Sequence, residues 1–387
     1  DGFVSRGLGD VYKRQGLLSP IIKGLDKSPH ADLALIVGGM HLSSEFGYTV
    51  SEIENDGIPI SARLEFLVSS ETAVGISKSM GLAIISAAEY LERERPDIIV
   101  LLGDRFEAMA VAQAAMIARI PIAHIHGGEI TEGSIDEAIR HSITKMSHLH
   151  FASTDEYAKR IHQLGENPDN IFNFGALGID NIKNLELLTK EELSKSIEFS
   201  LNKKYIIVTH HPVTLSSDSG IEGLCNLLSI LDEYPDYQLI ISYPNADTKN
   251  RAIIELLEKY YLKDKKRTFL THSLGLQKYL SAVKHCELVV GNSSSGIIEA
   301  PTLGVPTVNI GDRQKGRIHG YSVLNCDDSL ASIRKTMAHA LSSDFRQLCK
   351  NAKNPYGDGQ SSRKILEILI KFPLENIIFK QFYDLEN

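Results

Sequence analysis

Residues 98–129, IIVLLGDRFEAMAVAQAAMIARIPIAHIHGGE, decide the fold of this chain. An apolar run, IIVLLGD, is followed by the helical pattern FEAMAVAQAAMIARI and then by a second apolar run, IAHIHGG. Short runs rich in Ile, Val and Leu that alternate with helical segments are typical of a parallel sheet covered by helices. The segment therefore predicts a β-α-β unit of an α/β protein.

The alternation of apolar runs and helical patterns continues on both sides of this segment. LALIVGG and the long helical stretch TAVGISKSMGLAIISAAEYLERE precede it, and SIDEAIRHSITKMS and LHFAS follow it. The charged stretch NLELLTKEELSKSIEFSLNKK then leads to a second series, which begins with YIIVTHHP and ends with PTVNIGD. We therefore predict two Rossmann-like domains that face each other across a cleft, with ligands outside the carboxyl ends of the strands.

Bulk composition narrows the class of protein. The chain has 387 residues, of which 43% are hydrophobic and 23% charged, as in ordinary globular domains. Its net charge of −8 argues against general nucleic-acid binding, and no apolar run approaches the roughly 20 residues of a membrane helix. The cysteines lack CxxC spacing, which argues against a zinc site or a disulfide framework, and four reduced thiols fit a cytoplasmic location. These cysteines are Cys225, Cys286, Cys326 and Cys349.

The first fifteen residues, DGFVSRGLGDVYKRQ, have neither a strand period nor a helix period. They also lack the basic start, the long apolar stretch and the cleavage site of a secretory signal. We expect no native structure there and interpret residues 1–15 as a non-native, adapter-derived tail; a frayed native terminus is the alternative. On the first interpretation the chain is expected to be poorly stable and nearly inactive.

The segment VVGNSSSGIIEAP predicts a strand end, a turn of small residues and a helix that starts near Ser294. The unpaired N–H groups and the positive dipole end of a helix N-terminus suit a diphosphate, and Glu299 is placed to accept hydrogen bonds from ribose hydroxyls. Helix capping alone is the competing interpretation, because Ser and Asn are favoured there in any protein. Arg313 and Arg317 in GDRQKGR favour the phosphate site, since Arg is the usual bidentate partner of phosphate.

Acidic residues gather within one β-α-β-α span of the first half: Asp104, Glu107, Glu129, Asp136 and Glu137. Asp104 ends an apolar strand and should lie at the mouth of the cleft. Carboxylates in such a place serve as general acid or base when burial raises their pKa. An N-cap role for Asp104, and a solvated first helical turn for Asp136 and Glu137, are the alternatives.

The histidines raise the questions of a metal site and of a phosphate donor. His124, His126 and His141 cluster in the sequence, but no further ligand with zinc-like spacing is present, so we predict no metal site. His211 ends the first strand of the second half and is placed to donate to a phosphate; a structural histidine is the alternative. No G-x-G-x-x-G follows the first strand and no P-loop occurs, so neither redox cofactor chemistry nor ATP hydrolysis is indicated.

The motifs GGMH, LLGDRFE, HIHGGE, IDEAIRHSITKMSHLHF, THHPVT, PNAD, GNSSSGIIE, NIGDRQKGR and PYGDG closely resemble, in this order, the hydrolysing UDP-N-acetylglucosamine 2-epimerases. HIHGGE and NIGDRQKGR resemble the bacterial sialic-acid branch of that family. The resemblance implies the GT-B arrangement, with domains at residues 16–182 and 183–365 and a C-terminal helix in 366–387 that packs back on the first domain. It also implies that a cytoplasmic homo-oligomer converts UDP-N-acetylglucosamine and water to UDP and N-acetylmannosamine without metal or cofactor.

The resemblance further implies roles for individual residues. Asp104 stands at the family's essential acid, and Asp136 or Glu137 stands at a second acidic position. His126 stands where more distant relatives carry a glutamate, and an imidazole can also transfer protons near neutral pH. The catalytic candidates are Asp104, His126, Glu129, Asp136, Glu137 and His211. The substrate-binding candidates are His41, Arg105, Asn245, Asn292, Ser293, Ser294, Gly296, Glu299, Arg313 and Arg317.

The sequence leaves three alternatives open. The same chemistry on a UDP- or GDP-linked 2,4-diacetamido-6-deoxy sugar, on the route to legionaminic acid, is the nearest one. A GT-B glycosyltransferase is the second, because a fold does not dictate a reaction. A non-catalytic nucleotide-sugar binding protein is the third, and the acidic cluster of the first half argues against it.

Overall fold

The structure is a computed structural model that describes residues 2–5, 11–44, 48–55, 57–68, 70, 72–131, 135–212, 220–244 and 251–385; for residues 2–5, 11–16 and 52 it describes the backbone only. The chain divides into two compact units. The N-terminal unit comprises residues 1–129, 136–180 and 356–387, and the C-terminal unit comprises residues 130–135 and 181–355.

A parallel sheet forms the centre of the N-terminal unit. Its described strands are β1 (Gly2–Ser5), β2 (Leu33–Gly38), β3 (Ile60–Leu64), β4 (Ile99–Leu102), β5 (Ile122–Ile125), β6 (Leu149–Ala152) and β7 (Ile171–Asn173). They pair in the order β3-β2-β1-β4-β5-β6-β7. The helices in this part of the chain are α1 (Val11–Asp26), α2 (Val50–Asn55), α3 (Ala73–Glu94), α4 (Phe106–Ala118), α5 (Ile135–Met146), α6 (Asp155–Gln163) and α7 (Leu177–Asn184).

A second parallel sheet forms the centre of the C-terminal unit. Its described strands are β8 (Tyr205–Thr209), β9 (Gln238–Ser242), β10 (Thr268–Thr271), β11 (Leu288–Gly291), β12 (Thr307–Ile310) and β13 (Val323–Cys326), in the order β10-β9-β8-β11-β12-β13. Its helices are α8 (Lys190–Ser196), α9 (Ile221–Leu231), α10 (Arg251–Lys263), α11 (Gly275–His285), α12 (Ser294–Ile298), α13 (Leu330–Ala340) and α14 (Ser343–Cys349). The last helix of the chain is α15 (Ser361–Lys371).

Both sheets have the strand order of a doubly wound Rossmann fold. In that order the chain first adds strands on one side of the first strand and then adds the later strands on its other side. Ligands bind outside the carboxyl ends of the strands at this switch point. The switch point lies between β1 and β4 in the N-terminal unit and between β8 and β11 in the C-terminal unit. The prediction of an α/β protein with two Rossmann-like domains is confirmed.

Strand β4 illustrates why apolar runs form these sheets. Ile99 and Leu101 belong to the apolar cluster that contains the buried side of α4, whereas Val100 and Leu102 belong to the cluster on the opposite face of the sheet. All four side chains are buried, so a continuous apolar run is required instead of an alternating one. Each such side chain contributes about 1.5–3 kcal/mol by leaving water.

The expectation that residues 1–15 lack regular structure is wrong for residues 2–5 and 11–15. β1 pairs in parallel with β2 on one side and with β4 on the other, so it fills the centre of the N-terminal sheet, and α1 begins at Val11. A central parallel strand is held by backbone hydrogen bonds on both edges, and four residues suffice for them. A run as short as GFVS carries no detectable period. The interpretation of residues 1–15 as an added tail concerns their origin and stays a prediction.

The chain returns to the N-terminal unit at residue 356, ahead of the segment 366–387 in which the family resemblance implies a returning helix. The N-terminus of α15 explains this position. Asp180 is fully buried, and its carboxylate accepts hydrogen bonds from the backbone N–H groups of Ser361, at 3.0 Å, and Ser362, at 2.6 Å. Leu366 then packs on Gly24 of α1, where an added Cβ would lie 2.3 Å from a Leu366 methyl carbon.

Candidate active site

Asp104 lies just beyond the carboxyl end of β4, beside the switch point of the N-terminal sheet. Gly103 turns the chain out of the strand with a φ of 80°, a left-handed conformation that glycine adopts without steric cost. The Asp104 carboxylate forms an ion pair with Arg140 of α5. The N-cap residue of α4 is Arg105, so the capping alternative for Asp104 is wrong.

Arg140 holds the acidic residues of the N-terminal unit together. Its guanidinium side chain is 1% exposed and, besides Asp104, contacts Glu137 Oε2 at 2.9 Å and the backbone oxygen of Glu129 at 2.9 Å. A buried guanidinium requires such partners, because a buried charge without them costs several kcal/mol. Arg140 was not among the predicted site residues. The only signal was the i,i+3 spacing of Glu137 and Arg140, which is common on solvated helices.

A tight turn at residues 126–129 brings His126 and Glu129 into contact. His126 Nδ1 lies 2.8 Å from Glu129 Oε1, and Ser153 Oγ donates to the same oxygen at 2.8 Å. His126 has a φ of 66°, which is uncommon for a residue other than glycine and is found mainly in turns and at functional sites. Gly128 also has a positive φ, and an added Cβ there would lie 2.3 Å from the Tyr157 backbone oxygen. Only glycine therefore fits at position 128.

The remaining candidates of the N-terminal unit are Asp136, Arg105 and His41. Asp136 lies half-buried in the first turn of α5, one residue before Glu137. Arg105 Nε lies 3.8 Å from the buried carboxylate of Glu107, next to Asp104 in the chain. His41 is buried at the carboxyl end of β2, and its Nδ1 lies 2.8 Å from Thr49 Oγ1.

His124 has a structural role under the Asp104 turn. Its Nε2 donates to the Gly103 backbone oxygen at 2.7 Å, and its Nδ1 lies 3.1 Å from Thr144 Oγ1. Both ring nitrogens therefore have protein partners, and His126 makes separate contacts in the 126–129 turn. Within the described ranges, no group of three or more His, Cys, Asp or Glu side chains is arranged to hold a metal ion.

Acid is expected to destabilise the fold through His124. Burial lowers the pKa of His124 from 6.5 to about 3. Between these two pH values, His124 binds a proton in the unfolded chain but not in the folded chain. The free energy of unfolding should therefore fall as the pH drops from 6.5 to 3, with this group contributing up to about 1.4 kcal/mol per pH unit. Urea unfolding at several pH values measures the slope. The His124→Gln variant should show a shallower slope, and an equal slope would contradict the assignment.

In the C-terminal unit, Asn292 lies beyond the carboxyl end of β11 and organises the switch point. Its side chain accepts from the His211 backbone N–H at 2.7 Å and donates to the His211 backbone oxygen at 2.9 Å. Its own backbone oxygen accepts from Arg313 Nη1 at 3.0 Å and from Gln314 Nε2 at 2.9 Å. Asn292 thus links the chain after β8 to the chain after β12. Gln314 was not predicted, because its role depends on this tertiary contact.

The turn before α12 is sterically close-packed. Gly291 has a φ of 135°, and an added Cβ would lie 1.9 Å from the Thr209 backbone oxygen. Ser293 is the N-cap residue of α12, and Ser295 Oγ accepts a hydrogen bond from Tyr279 at 2.7 Å. The capping interpretation of this segment is therefore correct for Ser293, whose side chain accepts a hydrogen bond from the Ser295 backbone N–H.

The other candidates of the C-terminal unit are Asn245, His211, Ser294, Gly296, Glu299 and Arg317. Ser294 is the first residue of α12, and Gly296 packs so closely on β12 that an added Cβ would lie 2.7 Å from Thr307 Cγ2. Glu299 is 4% exposed at the end of α12, and Arg317 is half-buried. His211 is buried at the end of β8. Asn245 lies outside the described residues.

No helix in the part of the chain that the structure describes is both long and apolar enough to cross a membrane. The chain has free thiols at all four of its cysteines.

Known proteins resemble this chain in sequence and in fold. Residues 23–370 match the family described as UDP-N-acetylglucosamine 2-epimerase. The chain is 39% identical over 370 residues to the GDP/UDP-N,N'-diacetylbacillosamine 2-epimerase (hydrolyzing) of Campylobacter jejuni, which covers 95% of this chain and 96% of that protein. It is 37% identical over 372 residues to the polysialic acid biosynthesis protein P7 of Escherichia coli, with 96% and 94% covered.

The fold likeness extends to solved structures. The chain superposes with a TM-score of 0.79 on the UDP-GlcNAc 2-epimerase from Neisseria meningitidis bound to UDP-GlcNAc, at 20% identity, with 95% of this chain and 99% of that one covered. At this identity the likeness shows the fold alone. The family match spans most of the sequence, and both sequence relatives exceed 30% identity over nearly their whole length. The chain therefore belongs to the UDP-N-acetylglucosamine 2-epimerase family.

Proposed function

We propose that the protein is a hydrolysing 2-epimerase that converts UDP-N-acetylglucosamine and water to UDP and N-acetylmannosamine, the sugar used for sialic acid. The observation that carries this proposal is the group of Asp104, Arg140 and Glu137 at the switch point of the N-terminal sheet. It combines proton-transfer groups with a buried cation that orients them. Family membership and the relative involved in polysialic acid biosynthesis support it.

The proposed reaction has two steps. In the first, a protein base takes the proton from the carbon that bears the acetamido group, the freed electron pair forms a double bond to the anomeric carbon, and the bond from that carbon to UDP breaks with its pair on the departing oxygen. The intermediate is a 2-acetamidoglucal. In the second step a proton returns to the carbon that bears the acetamido group, from the face opposite to the one it left, and bonds through the electron pair of the double bond. Water adds its oxygen to the anomeric carbon and gives up one proton to a protein base.

The chain's own residues divide these tasks between the two units. In the C-terminal unit, Arg313 and the turn at Ser293 and Ser294 bind the diphosphate, where fixed N–H and guanidinium donors stabilise the charge that develops on leaving. Glu299 accepts hydrogen bonds from the ribose. In the N-terminal unit, Asp104 and its neighbours transfer protons to and from the sugar.

A second candidate substrate is a UDP- or GDP-linked 2,4-diacetamido-6-deoxy sugar. The relative that shares 39% of its residues with this chain carries a diacetylbacillosamine 2-epimerase activity in its name. The chemistry is the same for both sugars. The second sugar carries an acetamido group on C4 and lacks the hydroxyl on C6. Free thiols at Cys225, Cys286, Cys326 and Cys349 fit the proposed cytoplasmic location. The family resemblance implies a homo-oligomer.

The test of the function is the reaction in heavy water with each of the two nucleotide sugars. We expect release of the nucleoside diphosphate without any acceptor, and one deuterium on the carbon that bears the acetamido group of the product. A product without deuterium would exclude the elimination route. Release that requires an acceptor would indicate a glycosyltransferase, and the faster of the two sugars identifies the substrate.

Replacing Arg313 with alanine is expected to weaken UDP binding by about 2 kcal/mol, roughly 30-fold, which is the range for one charge-assisted hydrogen bond. Arg313 also fixes the Asn292 backbone oxygen at 3.0 Å, so the turn loses a support together with the cation. Calorimetric titration with UDP measures the change. Lys315→Ala is the matched control, because this lysine stands two residues away with 61% of its side chain exposed. Equal losses in both variants would mean that only general positive charge matters.

A further inference from the structure

A chain of hydrogen bonds fixes the protonation pattern of His126. Glu129 Oε1 lies 2.8 Å from His126 Nδ1 and accepts from Ser153 Oγ at 2.8 Å. An ionised carboxylate only accepts hydrogen bonds, so Nδ1 must carry the hydrogen that lies between the two groups. In the neutral imidazole Nε2 is then the nitrogen with a free electron pair.

The other ring nitrogen of His126, Nε2, is the one that can accept a proton. It is buried and has no hydrogen-bond partner among the described residues, and the side chain as a whole is 12% exposed. Buried polar atoms are normally paired, so an exception calls for a ligand or a functional reason. The left-handed backbone of His126 and the glycine-only position at Gly128 hold this geometry at some conformational cost.

We propose that Ser153 and Glu129 are positioning residues that hold His126 as the Nδ1–H tautomer, so that Nε2 takes the proton from the sugar. This inference rests on the proposed function. As a neutral imidazole, Nε2 accepts the proton of the carbon that bears the acetamido group, while the electron pair of that bond forms the double bond and the diphosphate leaves. The Glu129 carboxylate stabilises the imidazolium that results, and Ser153 holds the carboxylate in place.

The first test reads the tautomer directly and needs no substrate. Nitrogen-15 NMR of histidine-labelled full chain, with His126 assigned by its loss in His126→Gln, should show a protonated Nδ1 and an unprotonated Nε2 in the neutral ring. Glu129→Gln should produce a mixture of tautomers or the Nε2–H form. A wild-type His126 in the Nε2–H form would overturn the proposal, whatever the activity of the enzyme.

The second test is kinetic. We expect kcat to fall about 100-fold in Glu129→Gln and about 10-fold in Ser153→Ala, with KM and UDP affinity within about 2-fold of wild type, since only proton transfer is impaired. Ser147→Ala is the matched control, because it removes another buried serine hydroxyl whose partner is the Ile143 backbone oxygen on α5. Far-UV circular dichroism confirms folding of each variant.

The two tests separate this inference from the function on which it rests. A wild-type protein with the Nδ1–H tautomer but without 2-epimerase activity would contradict the proposed function and leave the positioning of His126 supported. An active wild-type protein whose tautomer and kcat are unchanged in both Glu129→Gln and Ser153→Ala would overturn the inference and leave the function intact.

Discussion

Replacing Asp104 with asparagine is expected to lower kcat by roughly 1,000-fold, within the range for loss of a general acid or base, while UDP affinity stays within about 2-fold. Asparagine keeps the size of the side chain and an oxygen that can accept from Arg140, but it cannot take up or release a proton. Arg140 retains its contacts with Glu137 and with the Glu129 backbone, so the surrounding structure should persist. Initial rates of UDP release and calorimetric titration with UDP measure the two effects.

The matched control for Asp104 lies at the other end of the same strand. Asp97 is exposed just before β4, so Asp97→Asn makes the same chemical change in the same unit away from the switch point. We expect wild-type turnover from it. Loss of UDP binding in Asp104→Asn, with turnover of bound substrate intact, would reverse the assignment of Asp104 and place it among the binding groups.

The sequence predicts those parts of the fold whose information is local. β4, α4 and β5 follow from the run at residues 98–129, because strands buried on both faces must be continuously apolar. Asp104 was predictable for the same reason, since a polar residue directly after such a strand has to stand at the carboxyl edge of the sheet. β1 was not, because a four-residue strand held by backbone bonds on both sides leaves no pattern of side chains.

The contacts within the candidate sites depend on tertiary structure and were not predictable from the chain alone. Arg140 and Asp104 are 36 residues apart, and arginine on a helix is usually solvated. Ser153 follows β6, so its bond to Glu129 arises only when β5 and β6 pair in register. Asn292 was predicted as a phosphate contact, yet its side chain is occupied by the His211 backbone. Local sequence gave its place at the strand end but not this partner.

Replacing Arg140 with methionine is expected to lower the free energy of unfolding of the N-terminal unit by about 3–5 kcal/mol, as for other buried ion pairs that lose one partner. Methionine fills much of the same volume, so the loss reports on charge more than on packing. Asp104 and Glu137 would lose the cation that compensates them, and each would have to take up a proton or admit water. Urea unfolding, with hydrogen exchange in β4 and β5 to identify the unit that opens, measures the change.

Two further variants decide whether charge or geometry is responsible for this effect. Arg140→Lys keeps the charge but not the planar fork, so it should restore part of the stability while kcat stays low, because one ammonium cannot hold Asp104, Glu137 and the Glu129 backbone oxygen together. Arg63→Met removes the guanidinium of an exposed pair with Glu54 at 2.6 Å, and we expect it to cost less than about 1 kcal/mol. If Arg140→Met costs no more than Arg63→Met, the acidic group of the N-terminal unit is not organised by a buried cation. Asp104 would then owe its position to the backbone turn at Gly103 alone.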